Sequence, residues 1–244
     1  MSTSLRSGMI LLALSALLVS AVACGGKQRS RSGSAAATDT AATTPAATQA
    51  APASVRFIHA VANAGAATLM AGETQLVSNL AALSWSQQRV DVPSGAHNVR
   101  AMVGGNAVAN ADLTFSAGGA YTVIVLGDAS SRVRDTMPAV VQIRDNLSAP
   151  PSGQAHVRLL HALPGTGAVT LTDDAGGTFG SAVSYRAASR ERAVPAGNRR
   201  MQARLNNNPV ANIAMNLAEG RIFTFLLLQG ASGPQLLAIT DRAR

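Results

Sequence analysis

An internal repeat constrains the fold of this 244-residue chain more than any other feature of its sequence. Residues 55–60 (VRFIHA) match residues 157–162 (VRLLHA), a shift of 102 residues, and the same shift carries 92–95 (VPSG) onto 194–197 (VPAG). A single register that holds over separate blocks indicates that a whole unit was duplicated. Solenoid repeats are much shorter than this, so each copy is predicted to be a domain with its own core.

Within each copy the hydrophobic pattern is that of short strands separated by turn residues. Residues 121–127 (YTVIVLG) and 222–228 (IFTFLLL) are rich in the side chains that strands favour, and no long helical period competes with them. The pattern predicts an all-β protein with two tandem immunoglobulin-like antiparallel β-sandwiches, at 54–145 and 155–244, joined by a linker at 146–154.

The first 23 residues have the organisation of an export signal peptide. Arg6 precedes an apolar run at 9–19, which is too short for a transmembrane helix, and small residues lead to a cleavage point. The following residues 21–25 (AVACG) resemble the lipobox of bacterial lipoproteins, in which the cysteine is lipidated and becomes the first residue of the mature chain. Cys24 is therefore the predicted lipidation site.

The sequence around Cys24 agrees with lipidation. Cys24 is the only cysteine of the chain, so no disulfide within the chain can use it. Residues 24–53 are almost wholly small or polar and contain too little apolar bulk to fold, as expected of a disordered tether rich in Ala, Thr and Ser. We expect a lipid-anchored protein of the cell envelope, in the outer membrane and facing the periplasm or the cell surface. The alternative is that Cys24 is a stray thiol beyond an ordinary signal.

Three of the repeated elements together resemble a known family. These are the opening strand at 55–60, the turn at 92–95 and the strand at 118–125 (GGAYTVIV). They resemble bacterial lipoproteins and secreted proteins grouped as domain of unknown function 4397. The resemblance implies a β-sandwich outside the cytoplasm, often in tandem, with no established activity.

Composition and charge limit the partners. The net charge is +8, but aromatic residues make up only 3% of the chain, so it is poorly supplied with stacking groups and no nucleic-acid partner is predicted. The charge is unevenly divided, because residues 54–145 contain six arginines and six acids whereas residues 155–244 contain ten arginines and five acids. A basic surface outside the cytoplasm would attract anionic envelope polymers.

Arginines concentrate around the turn at 194–197, which places Pro and Gly where a type I turn prefers them and so predicts a hairpin corner. A basic hairpin there could bind phosphate-bearing lipid or polysaccharide, because guanidinium groups match those anions. The alternative is a solvated strand face. The arginines of this cluster are Arg186, Arg190, Arg192, Arg199, Arg200 and Arg204, of which Arg190, Arg192, Arg200 and Arg204 are the candidate anion-binding residues.

His59 and His161 occupy the same place in the two copies and are the candidate ligand or proton-handling groups. Strand alternation puts His59 on the face of Val55 and Phe57, which favours a buried, hydrogen-bonded role. The adjacent acids Asp173 and Asp174 lie in a glycine-rich loop, where a solvated turn is favoured over a calcium site. No metal site and no cofactor are predicted.

These observations predict a membrane-anchored envelope lipoprotein that acts as a non-enzymatic binding, adhesion or structural module. Its expected partners are the membrane, through the N-terminal lipid, and anionic envelope polymers or another envelope protein. The alternatives are an envelope hydrolase and a small-ligand or carbohydrate-binding protein. The chain contains no Gly-x-Ser-x-Gly motif, and an open cleft with His59 beside Asp91 or Asp112 would favour the hydrolase.

Overall fold

The computed structural model describes residues 50–244, and in this part of the chain every regular element is a β-strand. The predicted signal peptide, the lipidation of Cys24 and most of the predicted tether lie outside the described residues. Among residues 50–244, no helix has the length and hydropathy needed to cross a membrane.

The first copy of the repeat forms nine strands. They are β1 (Ala53–Ala62), β2 (Ala67–Ala71), β3 (Thr74–Leu80), β4 (Ser84–Trp85), β5 (Val90–Val92), β6 (Gly95–Val103), β7 (Asn106–Phe115), β8 (Ala120–Asp128) and β9 (Ala139–Arg144).

The second copy forms seven strands. They are β10 (Gln154–His161), β11 (Val169–Asp173), β12 (Arg192–Pro195), β13 (Gly197–Leu205), β14 (Asn208–Leu217), β15 (Arg221–Gly230) and β16 (Gly233–Arg242). Residues 176–182, which correspond to β3, are rich in glycine and contribute only an isolated bridge, from Thr178 to Thr172. Glycine weakens a strand because it gains no packing and loses more backbone entropy on folding.

Each copy consists of two stacked sheets. Inner sheet 1 has the order β4-β1-β8-β9, with β5 also paired to β1, and outer sheet 1 has the order β3-β2-β6-β7. Inner sheet 2 has the order β12-β10-β15-β16, and outer sheet 2 has the order β11-β13-β14. In the first copy, Val55 and Phe57 of β1 share a core with Leu69 and Val99 of outer sheet 1. The predicted all-β sandwich is confirmed.

The centre of each inner sheet is a parallel pair, so the prediction of wholly antiparallel sheets is wrong at these strands. β1 runs parallel to β8 from Ser54 to Ala62, and β10 runs parallel to β15. All ten residues of β1 are buried, so this strand has core on both faces. Central parallel strands with both faces covered favour continuous apolar sequence over strict alternation.

The second face of β1 belongs to the boundary between the two copies. Ile58 and Ala60 of β1 pack there with Ile124 of β8, and Leu160 and Leu226 of inner sheet 2 belong to the same buried cluster. The inner sheets therefore stack face to face, and the two sandwiches form four layers with three apolar cores.

The prediction of a hairpin corner at the Val-Pro-x-Gly motif is wrong. β12 pairs with β10 of inner sheet 2, whereas β13 pairs with β11 and β14 of outer sheet 2, so the two strands that flank the motif do not pair. Gly95 and Gly197 have φ of 125° and 128°, values that glycine tolerates far better than other residues. The motif is a corner at which the chain passes from an inner to an outer sheet.

Candidate functional site at the boundary of the two sandwiches

Two reciprocal ion pairs cross the boundary between the copies. Arg56 of the first copy donates two hydrogen bonds to Asp241 of the second, at 3.0 and 2.7 Å. Arg158 of the second copy donates to Asp145 of the first, at 2.6 Å. Arg56 and Arg158 occupy equivalent positions in the repeat, so the contact is made twice around an approximate two-fold axis.

Further polar contacts complete this boundary network. Arg89 lies between the two carboxylates, 2.7 Å from Asp145 and 3.1 Å from Asp241. The Thr122 hydroxyl donates to Asp145 at 2.9 Å, and Thr224, its counterpart in the second copy, accepts from Arg158 Nε at 2.8 Å. Buried charges are tolerated when they are paired and hydrogen-bonded in this way.

One position breaks the symmetry of the boundary network. The counterpart of Arg89 in the second copy is Glu191, which lies 3.8 Å from Arg158 and 4.0 Å from His156. The network therefore contains three arginines and three acids, with the odd arginine on one copy and the odd acid on the other.

Burial and pairing shift the pKa values of these groups in opposite directions. Burial alone would raise the pKa of Asp145, but the guanidinium groups of Arg158 and Arg89 hold it below its ordinary value. Glu191 is also partly buried, and burial raises its pKa although Arg158 and His156 act against this. Asp145 is therefore a fixed negative charge at the base of the boundary.

A groove of about 570 Å³ runs along one side of the boundary, between β9 and the segment 186–191. Four arginines line it, against a single acid, Glu191. We call it the β9 groove. Its arginines are Arg144, Arg158, Arg186 and Arg190.

A second groove, of about 600 Å³, is lined by residues of both copies. Its lining includes Arg56, the counterpart of Arg158, with Asp241, Arg221 and Arg242. Much of this lining, including Met215, Asn216 and Phe223, has no counterpart in the lining of the β9 groove, which carries the larger excess of positive charge.

His59 and His161 lie in the sandwich cores and line neither of the two boundary grooves. His59 is 0% exposed; its Nε2 donates to the Gly65 carbonyl at 2.8 Å and its Nδ1 accepts from the Val61 amide at 3.4 Å. His161 makes the equivalent contacts with Gly167 and Leu163. Burial lowers the pKa of both imidazoles. The geometry favours the structural alternative, in which each neutral ring anchors the loop after its strand.

The structure does not bring the four predicted anion-binding arginines together. Arg190 and Arg192 lie at the edge of inner sheet 2, and Arg190 lines the β9 groove. Arg200 and Arg204 lie on β13 of outer sheet 2. The single basic hairpin envisaged for them is wrong because the corner at Gly197 separates their sheets.

Two further sequence expectations concern a metal site at the acidic loop and a hydrolase site at His59. Asp173 pairs with Arg199 at 2.6 Å and accepts from the Gly177 amide, and residues 50–244 hold no cluster of three groups suited to a metal ion. In the same residues, no hydrogen bond or ion pair joins His59 to Asp91 or Asp112.

Sequence reasoning missed the boundary network, although its members are visible in the repeat. Arg56 and Arg158 interrupt otherwise apolar strands at the same place, and Asp145 and Asp241 lie close to the end of the last strand of each copy. A charged residue that recurs inside a buried strand is the signal that could have found them, because such a charge needs a partner.

The fold and this site define a class of protein in which two β-sandwiches are fused face to face through buried ion pairs. A family model described as a domain of unknown function (DUF4397) matches the chain at residues 53–172 and again at 157–244. The chain therefore belongs to the DUF4397 family.

Other comparisons add only distant likenesses. No curated protein matches the chain. A carbohydrate-binding module of family CBM26 from Eubacterium rectale, crystallised with maltoheptaose, is similar at 10% identity and a TM-score of 0.25, over 79% of this chain and 97% of the module. A candidate cell adhesion protein from Bacteroides uniformis is similar at 7% identity and a TM-score of 0.23, over 82% of this chain and 100% of that protein. Likenesses of this size carry no functional assignment.

Proposed function

We propose that this protein is a membrane-anchored lipoprotein of the cell envelope whose two sandwiches act together as one non-enzymatic binding module. The observation that carries the proposal is the reciprocal pairing of Arg56 with Asp241 and of Arg158 with Asp145. These contacts commit the buried charged groups to joining the two copies. The exposed arginines along the boundary, such as Arg144 and Arg190, remain available to a partner.

The anchoring part of the proposal rests on the lipobox-like sequence at Cys24 and on the tether that follows it. Two or three acyl chains anchor a protein stably, since each buried methylene contributes about 0.8 kcal/mol. A tether of small and polar residues would then present the sandwiches away from the membrane surface.

The anchor is tested by measuring the intact mass of the protein purified from its native membrane, with a Cys24→Ala variant fractionated alongside. We expect a diacyl or triacyl mass increment on a chain that begins at Cys24, and loss of the variant from the membrane fraction. A mature chain that begins elsewhere and carries no lipid would overturn the anchored assignment.

The binding role is tested by screening the protein for ligand-induced thermal stabilisation. A ligand that binds the native state raises its stability by mass action, by about 2.7 kcal/mol at a hundred times its Kd. We expect stabilisation by anionic ligands, and weaker stabilisation at high salt. Hydrolysis of envelope material by the purified protein would contradict the non-enzymatic role.

A further inference from the structure

We propose that the β9 groove binds an extended acidic peptide segment of a partner protein, which pairs with the free edge of β9 and places its carboxylates on the surrounding arginines. The inference deepens the proposed function, because it names the partner chemistry of the binding module. It rests on the edge of β9 and on the arrangement of guanidinium groups around that edge.

β9 is the last strand of inner sheet 1, and among residues 50–244 it pairs only with β8. The amide of Asp145, the residue directly after β9, donates inward to Ala120 at 2.9 Å. Because inward and outward main-chain groups alternate along an antiparallel edge, those of Gln142 and Arg144 point outward. Outward N–H and C=O groups of an edge strand can form hydrogen bonds with an extended peptide, which then adds to the sheet as a further strand.

The walls of the groove also fit an extended chain. Four consecutive residues of β9, 141–144, line one side, and the consecutive segment 186–191 lines the other. Successive side chains of a strand point to opposite faces of the sheet. A groove that is lined by consecutive residues of a strand therefore follows the edge of that strand and not one face of the sheet. A volume of about 570 Å³ is within the usual range of ligand sites.

The charges around this edge are arranged for carboxylates. Arg158 is 4% exposed and is held by Asp145 and Thr224, so its position is fixed before binding. Arg186 is held by a 2.8 Å hydrogen bond to the Met137 carbonyl. Positive charges that are held in place before binding reduce the entropy lost on binding.

Arg144 and Arg190 complete the site from its two walls. Both are exposed, and within residues 50–244 their guanidinium groups make no hydrogen bond or ion pair. They can therefore turn onto a ligand without breaking an existing contact. A guanidinium group pairs with a carboxylate through two parallel hydrogen bonds, which gives an acidic peptide its register on the edge.

The test measures binding of a fluorescein-labelled peptide of alternating Thr and Glu to the detergent-solubilised full chain by fluorescence anisotropy. The reference peptide replaces each Glu by Gln. Two variants lose the same charge, R144Q/R190Q in the groove and R100Q/R132Q outside its lining, where both arginines are exposed. A second matched pair places proline at Gln142 on β9 or at its counterpart Ala238 on β16.

We expect the Glu peptide to bind at least ten times more tightly than the Gln peptide. R144Q/R190Q should raise the Kd at least ten-fold, and R100Q/R132Q less than two-fold. Gln142→Pro removes an outward donor and leaves the bonds to β8 in place, so it should raise the Kd at least five-fold, and Ala238→Pro less than two-fold.

Several outcomes would overturn the proposal. They are the absence of Glu-peptide binding at 1 mM, an equal loss in both arginine variants, and unchanged binding by a folded Gln142→Pro variant. Complete competition by oligogalacturonate or by phosphatidylglycerol vesicles would assign the groove to a general anionic surface. The intact mass and the membrane fractionation do not depend on this groove, so failure of the peptide test leaves the proposed anchoring to be judged separately.

Discussion

At the scale of single residues, the boundary network shows what burial requires of a charge. Arg56 and Arg158 are 6% and 4% exposed, and each has a carboxylate of the other copy within 3 Å. Desolvation offsets most of the attraction in such a pair, so its net contribution to stability is small. Removal of one partner is different, because it leaves the other charge buried and unpaired.

The substitution Asp145→Asn tests this asymmetry. It removes the charge that Arg89 and Arg158 share, and we expect the free energy of unfolding at pH 7 to fall by about 3–5 kcal/mol. The matched control is Asp112→Asn, an exposed carboxylate that accepts one hydrogen bond from Asn98, and it should cost less than about 1 kcal/mol. Urea unfolding of the two variants measures both values, and equal losses would contradict the prediction.

The Asp145→Asn variant also tests a pH dependence of stability with a defined sign. The pKa of Asp145 in the folded protein is lowered: burial opposes this, but Arg158 and Arg89 outweigh it. A carboxyl group of this kind contributes stability above its unfolded pKa of about 3.9 and loses it as the pH falls toward the folded value. The difference in unfolding free energy between wild type and Asp145→Asn should therefore be constant from pH 7 to about 5 and shrink below about 4.

At the scale of elements, glycine is needed near the ends of two strands of the first copy, for reasons that differ. Gly127 near the end of β8 and Gly95 at the start of β6 have nearly the same φ, 127° and 125°. They differ in their surroundings, because a Cβ on Gly127 would lie 2.7 Å from the Met137 carbonyl oxygen, whereas a Cβ on Gly95 would meet nothing within 4 Å. Gly127 is thus required by close packing as well as by conformation.

Substitution of these two glycines by alanine separates the two requirements. Gly95→Ala measures the strain of the backbone alone, and Gly127→Ala adds the steric clash. We expect Gly127→Ala to lower the free energy of unfolding by about 1–3 kcal/mol more than Gly95→Ala does. Chemical unfolding of the two variants gives the difference. Similar losses would show that the loop after β8 moves to relieve the clash at no cost in the free energy of unfolding.

The elements also show how far the sequence predicts this fold. Strand content, the two-copy organisation and the buried face of His59 follow from alternation and from the repeat, because those signals are local or periodic. The parallel pairing of β1 with β8 does not follow, because these strands are about sixty residues apart and alternation carries no information on strand direction. The role of the Gly197 corner also depends on sheet pairing that the turn motif leaves undetermined.

The candidate site was harder to predict than the fold. The sequence reveals Arg190 as one of a basic cluster, but a cluster along the chain does not specify which sheet each arginine joins. Arg144 and Arg158 come from other segments and reach the same groove only because the inner sheets stack. Likewise, the match between Arg56 and Arg158 is visible in the repeat, whereas their crossed partners depend on the packing of one copy on the other.

At the scale of the whole molecule, Arg89 and Glu191 make the two copies complementary. A pair formed by one first and one second copy balances three arginines with three acids across the boundary. Two first copies would bring four arginines against two aspartates, counting Arg56, Arg89 and Asp145 twice. Since unpaired buried charge is costly, the network favours association between unlike copies.

Separate expression of the fragments 50–146 and 147–244 tests this selectivity. We expect a 1:1 complex when they are mixed, and weaker self-association of each fragment alone, by sedimentation velocity. Arg89→Glu in the first fragment should weaken the mixed complex, whereas Arg100→Glu, an exposed change on outer sheet 1, should leave it unchanged. Equally strong self-association of the first fragment would contradict the charge argument.

The position of β1 has a mechanical consequence. β1 follows directly on the predicted tether and is held along its length by parallel β8 on one side and by β4 and β5 on the other. A pull transmitted through the tether would act along the axis of β1 and load the hydrogen bonds to β8 together, in shear. A peripheral strand pulled from its end would instead yield one bond at a time. By beginning at a central strand, the module is suited to bear a load transmitted along the predicted tether.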